Sequence, residues 1–123
     1  MINENKKTLV LGGSENPDRY SNMAIKLLQK KGFEVVSVGN KKGQVGTVKI
    51  ENHPVLFEDI NTITLYLGPR NQPPFYDYIL DLKPKRIIFN PGTENEELRS
   101  MAESKGIETE EACTLVLLNL GQY

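Results

Sequence analysis

Residues 8–32, TLVLGGSENPDRYSNMAIKLLQKKG, carry an apolar run straight into a glycine pair and then, across a polar turn, into a helical pattern. That order of events narrows the fold sharply. An apolar run with no polar alternation reads as a strand buried on both faces, which is the habit of a parallel sheet covered on two sides. A helix that follows within one turn then makes the opening of a βαβ unit. The spacing predicts a strand over 8–12 and a helix over 21–32. Met23, Ala24, Leu27 and Leu28 share one stripe at three- and four-residue steps, with Lys31 at its fringe and Gly32 as the stop.

The remaining sequence keeps the alternation. Strands are predicted at FEVVSVG (33–39), TITLYLG (62–68) and KRIIFNPG (85–92), with a short strand TVKI inside the turn-rich segment 40–54. PFYDYILDLK (74–83) reads as a helix started by proline, after a loop at 69–74. TENEELRSMAESKG (93–106) reads as a helix in which Thr93 and Glu96 have capping-box spacing. IETEEAC (107–113) begins as a short strand, and TLVLLNL (114–120) suits a helix or a strand equally. With 123 residues and no repeat or linker, one domain over 1–123 is expected, its core at about 7–118. The expected fold class is α/β: a three-layer αβα, Rossmann-like, doubly wound parallel sheet of about five strands in the order 3-2-1-4-5.

In such a fold ligands lie beyond the carboxyl ends of the strands, where strand order reverses. Four loops should therefore converge: GGSENPDR, VGNKK, LGPRN and NPGTEN. Gly12 and Gly13 have no β-carbon, so a ligand can approach their backbone closely. Ser14 offers a hydroxyl, Arg19 a bidentate guanidinium, and Ser21 an N-cap or a second hydroxyl. A helix that begins here turns its free N–H groups on the same place, which suits phosphate. A bare tight turn is the plainer explanation of a glycine pair. The pattern is neither the dinucleotide fingerprint G-x-G-x-x-G nor the triphosphate loop G-x-x-x-x-G-K-[ST]. At the end of the second strand stand Asn40, Lys41 and Lys42, where an NAD enzyme carries an acid. Two ammonium groups suit a phosphate on a ribose: the 2′-phosphate of NADP or the 3′-phosphate of coenzyme A. A solvated lysine hairpin is the structural alternative.

The stretch from residue 10 to residue 46 resembles the opening of the small single-domain CoA-binding proteins, stand-alone relatives of the CoA-binding domain of the succinyl-CoA synthetase α chain. Gly12, Ser14, Pro17, DRYS (18–21) and Gly32 match that family's pattern; Val38, Gly39 and Asn40 replace its V-N-P. Gly92, Asn95, Glu96, Glu97, Gly106 and Cys113 match a second, later segment. The resemblance implies a diphosphate held by Gly13, Ser14 and nearby backbone. It places Asn40, Lys41 and Lys42 near the adenosine. It puts Leu67, Gly68, Pro69 and Arg70 beside the adenine or pantetheine, and Asn90 to Gly92 along the pantetheine path. The implied cofactor is coenzyme A or an acyl-CoA.

Other chemistry has little support in the sequence. His53 is the sole histidine and reads as exposed; Cys113 is the sole cysteine and reads as packing. These two make no zinc set, so no metal is expected. Glu94, Glu96 and Glu97 read as helix-start charge. Tyr66, Tyr76 and Tyr78 read as packing, with Tyr66 also near enough to a strand end to meet a ligand base. A net charge of −1 argues against nucleic acid, and the apolar runs are too short to cross a membrane. The polar start MINENKK and the single cysteine point to a cytoplasmic location. The expected function is CoA binding without self-contained catalysis. The alternatives are an NADP-dependent reductase using the same phosphate site, and an interaction module whose pocket has decayed. A homodimer or an unknown protein partner is compatible with either.

Overall fold

The computed structural model describes the backbone of residues 3–123 and the side chains of residues 6–123. Seven strands form one sheet: β1 Asn3–Leu11, β2 Phe33–Val38, β3 Gly43–Val45, β4 Val48–Glu51, β5 Thr62–Leu65, β6 Arg86–Phe89 and β7 Glu108–Glu111. Their spatial order is β3-β4-β2-β1-β5-β6-β7. All neighbours run parallel except β3 and β4, which form an antiparallel hairpin at one edge. The expected five strands in the order 3-2-1-4-5 are thus corrected. Six parallel strands follow the order 3-2-1-4-5-6, and β3 adds an antiparallel edge. GQV is too short to announce itself by periodicity, while TVKI and IETEEAC, each expected to hold a short strand, both join the sheet.

Four α-helices cover the faces: α1 Tyr20–Lys30, α2 Tyr76–Asp81, α3 Glu96–Ser104 and α4 Thr114–Asn119. Strand side chains alternate between two apolar clusters. Leu9, Leu11, Ile63, Leu65, Ile87 and Phe89 face a cluster that includes Ile79 of α2 and Leu98 and Ala102 of α3. Val10 and Ile88 face the opposite cluster, with Ile25 and Leu28 of α1 and Leu118 of α4. Each such fully buried aliphatic side chain contributes roughly 1.5–3 kcal/mol. The three-layer arrangement follows from β1 and β6 being apolar on both faces.

Local differences from the sequence reading have clear causes. The buried side of α1 is Ser21, Asn22, Ala24, Ile25 and Leu28, while Met23 is exposed. The stripe is rotated because polar Ser21 and Asn22 turn inward toward the glycine loop. The helix ends as expected: Gly32 has φ +88° and its N–H donates to the Gln29 carbonyl. In α3 the cap is Asn95 rather than Thr93; its Oδ1 accepts from the N–H groups of Glu97 and Leu98. Thr93 is buried, and its hydroxyl donates to the Asn90 carbonyl. Prolines 73 and 74 open a 3-10 turn at Pro73–Phe75 before α2 begins. Residues 114–119 are helical.

The first βα turn is packed without slack. The N–H groups of Gly12 and Gly13 both donate to the Val38 carbonyl, at 2.7 and 3.0 Å. A β-carbon on Gly13 would lie 2.0 Å from Ser37 Oγ, and one on Gly39 would lie 2.2 Å from the Gly13 carbonyl oxygen. Ser37 is itself buried, its hydroxyl donating to the Val10 carbonyl. Gly13→Ala should therefore lower stability by roughly 1–3 kcal/mol, the usual cost of overpacking. Urea or thermal unfolding of the two proteins checks it, and an unchanged midpoint would show that the turn has room to spare.

Candidate functional site

The strand order reverses between β1 and β5, and a cleft of about 810 Å³ opens there beyond the strand ends. Four loops line it, as the sequence led us to expect. Gly12, Gly13, Ser14, Arg19 and Ser21 come from the first; Asn40, Lys41 and Lys42 from the second; Gly68 from the third; Gly92 from the fourth. Three expected residues, Pro69, Arg70 and Asn90, stand elsewhere. Pro69 starts the 3-10 turn Pro69–Asn71, and from this turn Asn71 lines the cleft. Asn90 is only 2% exposed, and its side chain is fully engaged by the protein. Its Nδ2 donates to Thr64 Oγ1 and the Leu65 carbonyl, and its Oδ1 accepts from the Thr114 N–H. Pro91, Gly92 and Thr93 line the cleft in its place.

The donors that face an incoming anion are not those of the glycine pair. Gly12 and Gly13 spend their N–H groups on Val38. Their role is steric: a β-carbon on Gly12 would meet the Tyr66 backbone at 3.0 Å, and Gly12 has φ +100°. The uncommitted donors begin one residue later. The N–H groups of Ser14 and Glu15, and those of Tyr20 and Ser21 in the first turn of α1, make no hydrogen bond within the described residues. Arg19, not Ser21, occupies the N-cap position of α1; no side chain caps the helix and no acid sits in its first turn. The start of α3 is the opposite case, capped by Asn95 and followed by Glu96 and Glu97. Of these two helix starts, that of α1 is the one built for negative charge.

Buried polar side chains, invisible to the motif reading, hold these loops. Asn22 is 2% exposed, and its Nδ2 donates to the Ser14 carbonyl at 3.0 Å, which fixes the backbone of the first loop from beneath. Gln72 is fully buried; its Nε2 donates to the carbonyls of Leu67 and Thr93, and its Oε1 accepts from Asn95 Nδ2. It ties the third loop to the fourth across the cleft floor. Amide side chains within loops carry no periodicity, so only their burial reveals them.

Arg19, Lys41 and Lys42 are exposed and form no ion pair among the described residues. Tyr66 lines the cleft beside them. Burial pushes its phenol up to about 12, with the hydroxyls of Thr64 and Thr114 pulling the other way. No partner stands in hydrogen-bonding geometry to its buried oxygen. At neutral pH the phenol keeps its proton, and its oxygen is shut inside the protein, away from the cleft. His53 is exposed on the connection between β4 and β5, and Cys113 is half-buried at the N-cap of α4. Among the described residues no group of three or more His, Cys, Asp or Glu could hold a metal ion, and no helix is long and apolar enough to cross a membrane.

Comparison with known proteins settles the family. The sequence profile described as CoA binding domain matches residues 6–119. The chain belongs to the CoA-binding domain family. A solved structure of an uncharacterized protein is 48% identical, covers 96% of this chain and 98% of its own, and superimposes with a TM-score of 0.93. A conserved hypothetical protein from Pyrococcus furiosus is 29% identical over 85% of this chain and 91% of its own, with a TM-score of 0.75. A hypothetical protein from Pyrococcus horikoshii OT3 is 25% identical over 90% of this chain and 80% of its own, with a TM-score of 0.81. No curated protein matches significantly. The family's V-N-P at the second strand end is V-G-N here, and Gly39 suits its place: its backbone runs against the Gly13 carbonyl with no room for a side chain.

Asn90 separates two roles. If it is a structural peg, Asn90→Ala orphans the buried Thr114 N–H, and the ligand-free protein loses about 1–3 kcal/mol. A residue that only touched ligand would leave the ligand-free melting temperature where it was.

Proposed function

We propose that this CoA-binding domain protein binds coenzyme A or an acyl-CoA and carries no self-contained catalysis. One observation carries the reading: an uncapped helix start with unspent N–H groups shares a cleft with three cationic side chains that form no ion pair among the described residues. The N–H groups of Ser14, Glu15, Tyr20 and Ser21, with the hydroxyls of Ser14 and Ser21, take the diphosphate, and Arg19 adds a bidentate contact. Ser14 Oγ already accepts from the Asn16 N–H, which leaves its proton for the ligand. Lys41 and Lys42 take the 3′-phosphate, and Asn40 borders the adenosine. Gly68 and Gly92 leave the opposite wall low, since a β-carbon at either would meet nothing within 4 Å; the pantetheine arm leaves along that wall. The cofactor supplies a thiol that carries acyl groups. The protein's own residues bind and orient it.

The fit of the residues to this ligand rests on the cradle itself. The close backbone crossing at Gly12, Gly13 and Gly39 shapes the loop, and the free donors sit after it rather than in it. An NADP-dependent reductase would use the same basic pair, and titration separates the two. Calorimetry with CoA, acetyl-CoA and NADPH should show the first two binding and NADPH binding weakly or not at all. CoA at 100 times its dissociation constant should stabilise the protein by about 2.7 kcal/mol. Tighter binding of NADPH than of CoA would overturn the reading.

The lysine pair gives a sharper test. Lys41→Glu with Lys42→Glu should weaken CoA about tenfold or more, close to 1.4 kcal/mol, and weaken dephospho-CoA much less. Equal losses for the two ligands would remove the 3′-phosphate from these residues.

A further inference from the structure

Glu15 places a negative charge inside a cleft otherwise built for phosphate, and its position is held by the fold. Its Oε2 accepts the Gln44 N–H at 2.9 Å, across from the phosphate loop to the β3–β4 hairpin. Gly43 makes room for it: a β-carbon there would lie 2.4 Å from the Glu15 carboxyl carbon. The other oxygen, Oε1, accepts no hydrogen bond within the described residues. Glu15 and Lys42 line the main cleft and also the adjoining depression of about 430 Å³, so acid and base meet where the two spaces join. The carboxylate forms no ion pair with Lys41 or Lys42.

We infer that Glu15 reads the ribose of the bound nucleotide: its free Oε1 accepts the 2′-hydroxyl, while Lys41 and Lys42 hold a phosphate on the neighbouring 3′-oxygen. The inference rests on the CoA reading above. A carboxylate and two ammonium groups side by side match one hydroxyl and one phosphate on adjacent ring carbons. The reverse pattern, a 2′-phosphate with a 3′-hydroxyl, sets phosphate against carboxylate, and like charges in contact reject a wrong partner strongly. Dinucleotide enzymes commonly hold a ribose hydroxyl with an acid from the end of the second strand. Here the second strand ends in lysines, and the acid arrives from the first loop, so one site combines both functions. The sequence conceals this because Glu15 sits in a polar turn with nothing to mark it.

Two isomeric probes isolate the effect: adenosine 3′,5′-bisphosphate and adenosine 2′,5′-bisphosphate, titrated calorimetrically alongside CoA. The wild-type chain should prefer the 3′,5′ isomer by about tenfold or more. Glu15→Gln should shrink the preference to less than about threefold, chiefly by tightening the 2′,5′ isomer once the repulsion is gone. Gly43→Ala keeps the acid but pushes its carboxyl group aside, and should shrink the preference in the same direction. If Glu15→Gln weakens both isomers equally and leaves their ratio intact, Glu15 merely fastens the loop and the inference fails while CoA binding stands. A wild-type ratio near one, with CoA bound, overturns it likewise. Failure of CoA and both bisphosphates to bind the wild-type chain overturns the inference and the proposed function together.

Discussion

The carbonyl of Val38 receives two hydrogen bonds, from Gly12 and Gly13, and much of the molecule's geometry follows from that one acceptor. A carbonyl oxygen has two lone pairs, and here both are used at the point where β1 gives way to its loop. The bond pair draws the end of β1 against the end of β2, so that Gly13 crosses Gly39 at backbone distance. Residues 40–42 follow Gly39 directly, which brings the lysines to the same cleft as the loop after β1. Because these two glycine N–H groups are spent, the chain reaches Ser14 before it has amides to offer. The unspent amides therefore begin after the glycines, at Ser14 and Glu15 and in the first turn of α1.

Much of this architecture is legible in the amino acids alone, for a physical reason. LVL and RIIF are apolar on both faces, and TITL is buried throughout, because helices cover both sides, and such runs leave few alternatives to a parallel sheet. The convergence of the four loops then follows from connectivity. GQV is harder to recognise because three residues at a sheet edge carry no periodic apolar side. The direction of the α1 stripe was hidden by Asn22 and Ser21, polar residues that turn inward for the sake of the loop. Asn90 looked like a ligand contact because it lies in a strand-end turn; a polar residue at such a place can serve the ligand or the backbone, and its hydrogen bonds decide which. Asn22, Gln72 and Glu15 sit in no motif, and their roles emerge only from what they touch.

The cleft walls depend on amides buried in pairs of loops. Asn22 grips the first loop, Gln72 joins the third to the fourth, and Asn95 links Gln72 to Tyr76 while capping α3. Buried amide bonds of this sort rigidify loops that hydrophobic packing alone does not hold, although Asn22 Oδ1 has no partner among the described residues. A preformed cleft leaves less ordering to be done when a long, flexible ligand arrives.

The two ends of the sheet are finished differently. On one side lies β3, three residues long, turned antiparallel against β4. On the other lies β7, Glu-Thr-Glu-Glu, with Glu108 and Glu111 exposed. An open strand invites another chain to continue the ladder, and natural sheets blunt that invitation with brevity or charge. This sheet uses one remedy at each border, so its hydrogen-bonding capacity ends with its own strands and a parallel core this apolar does not become the seed of a fibre.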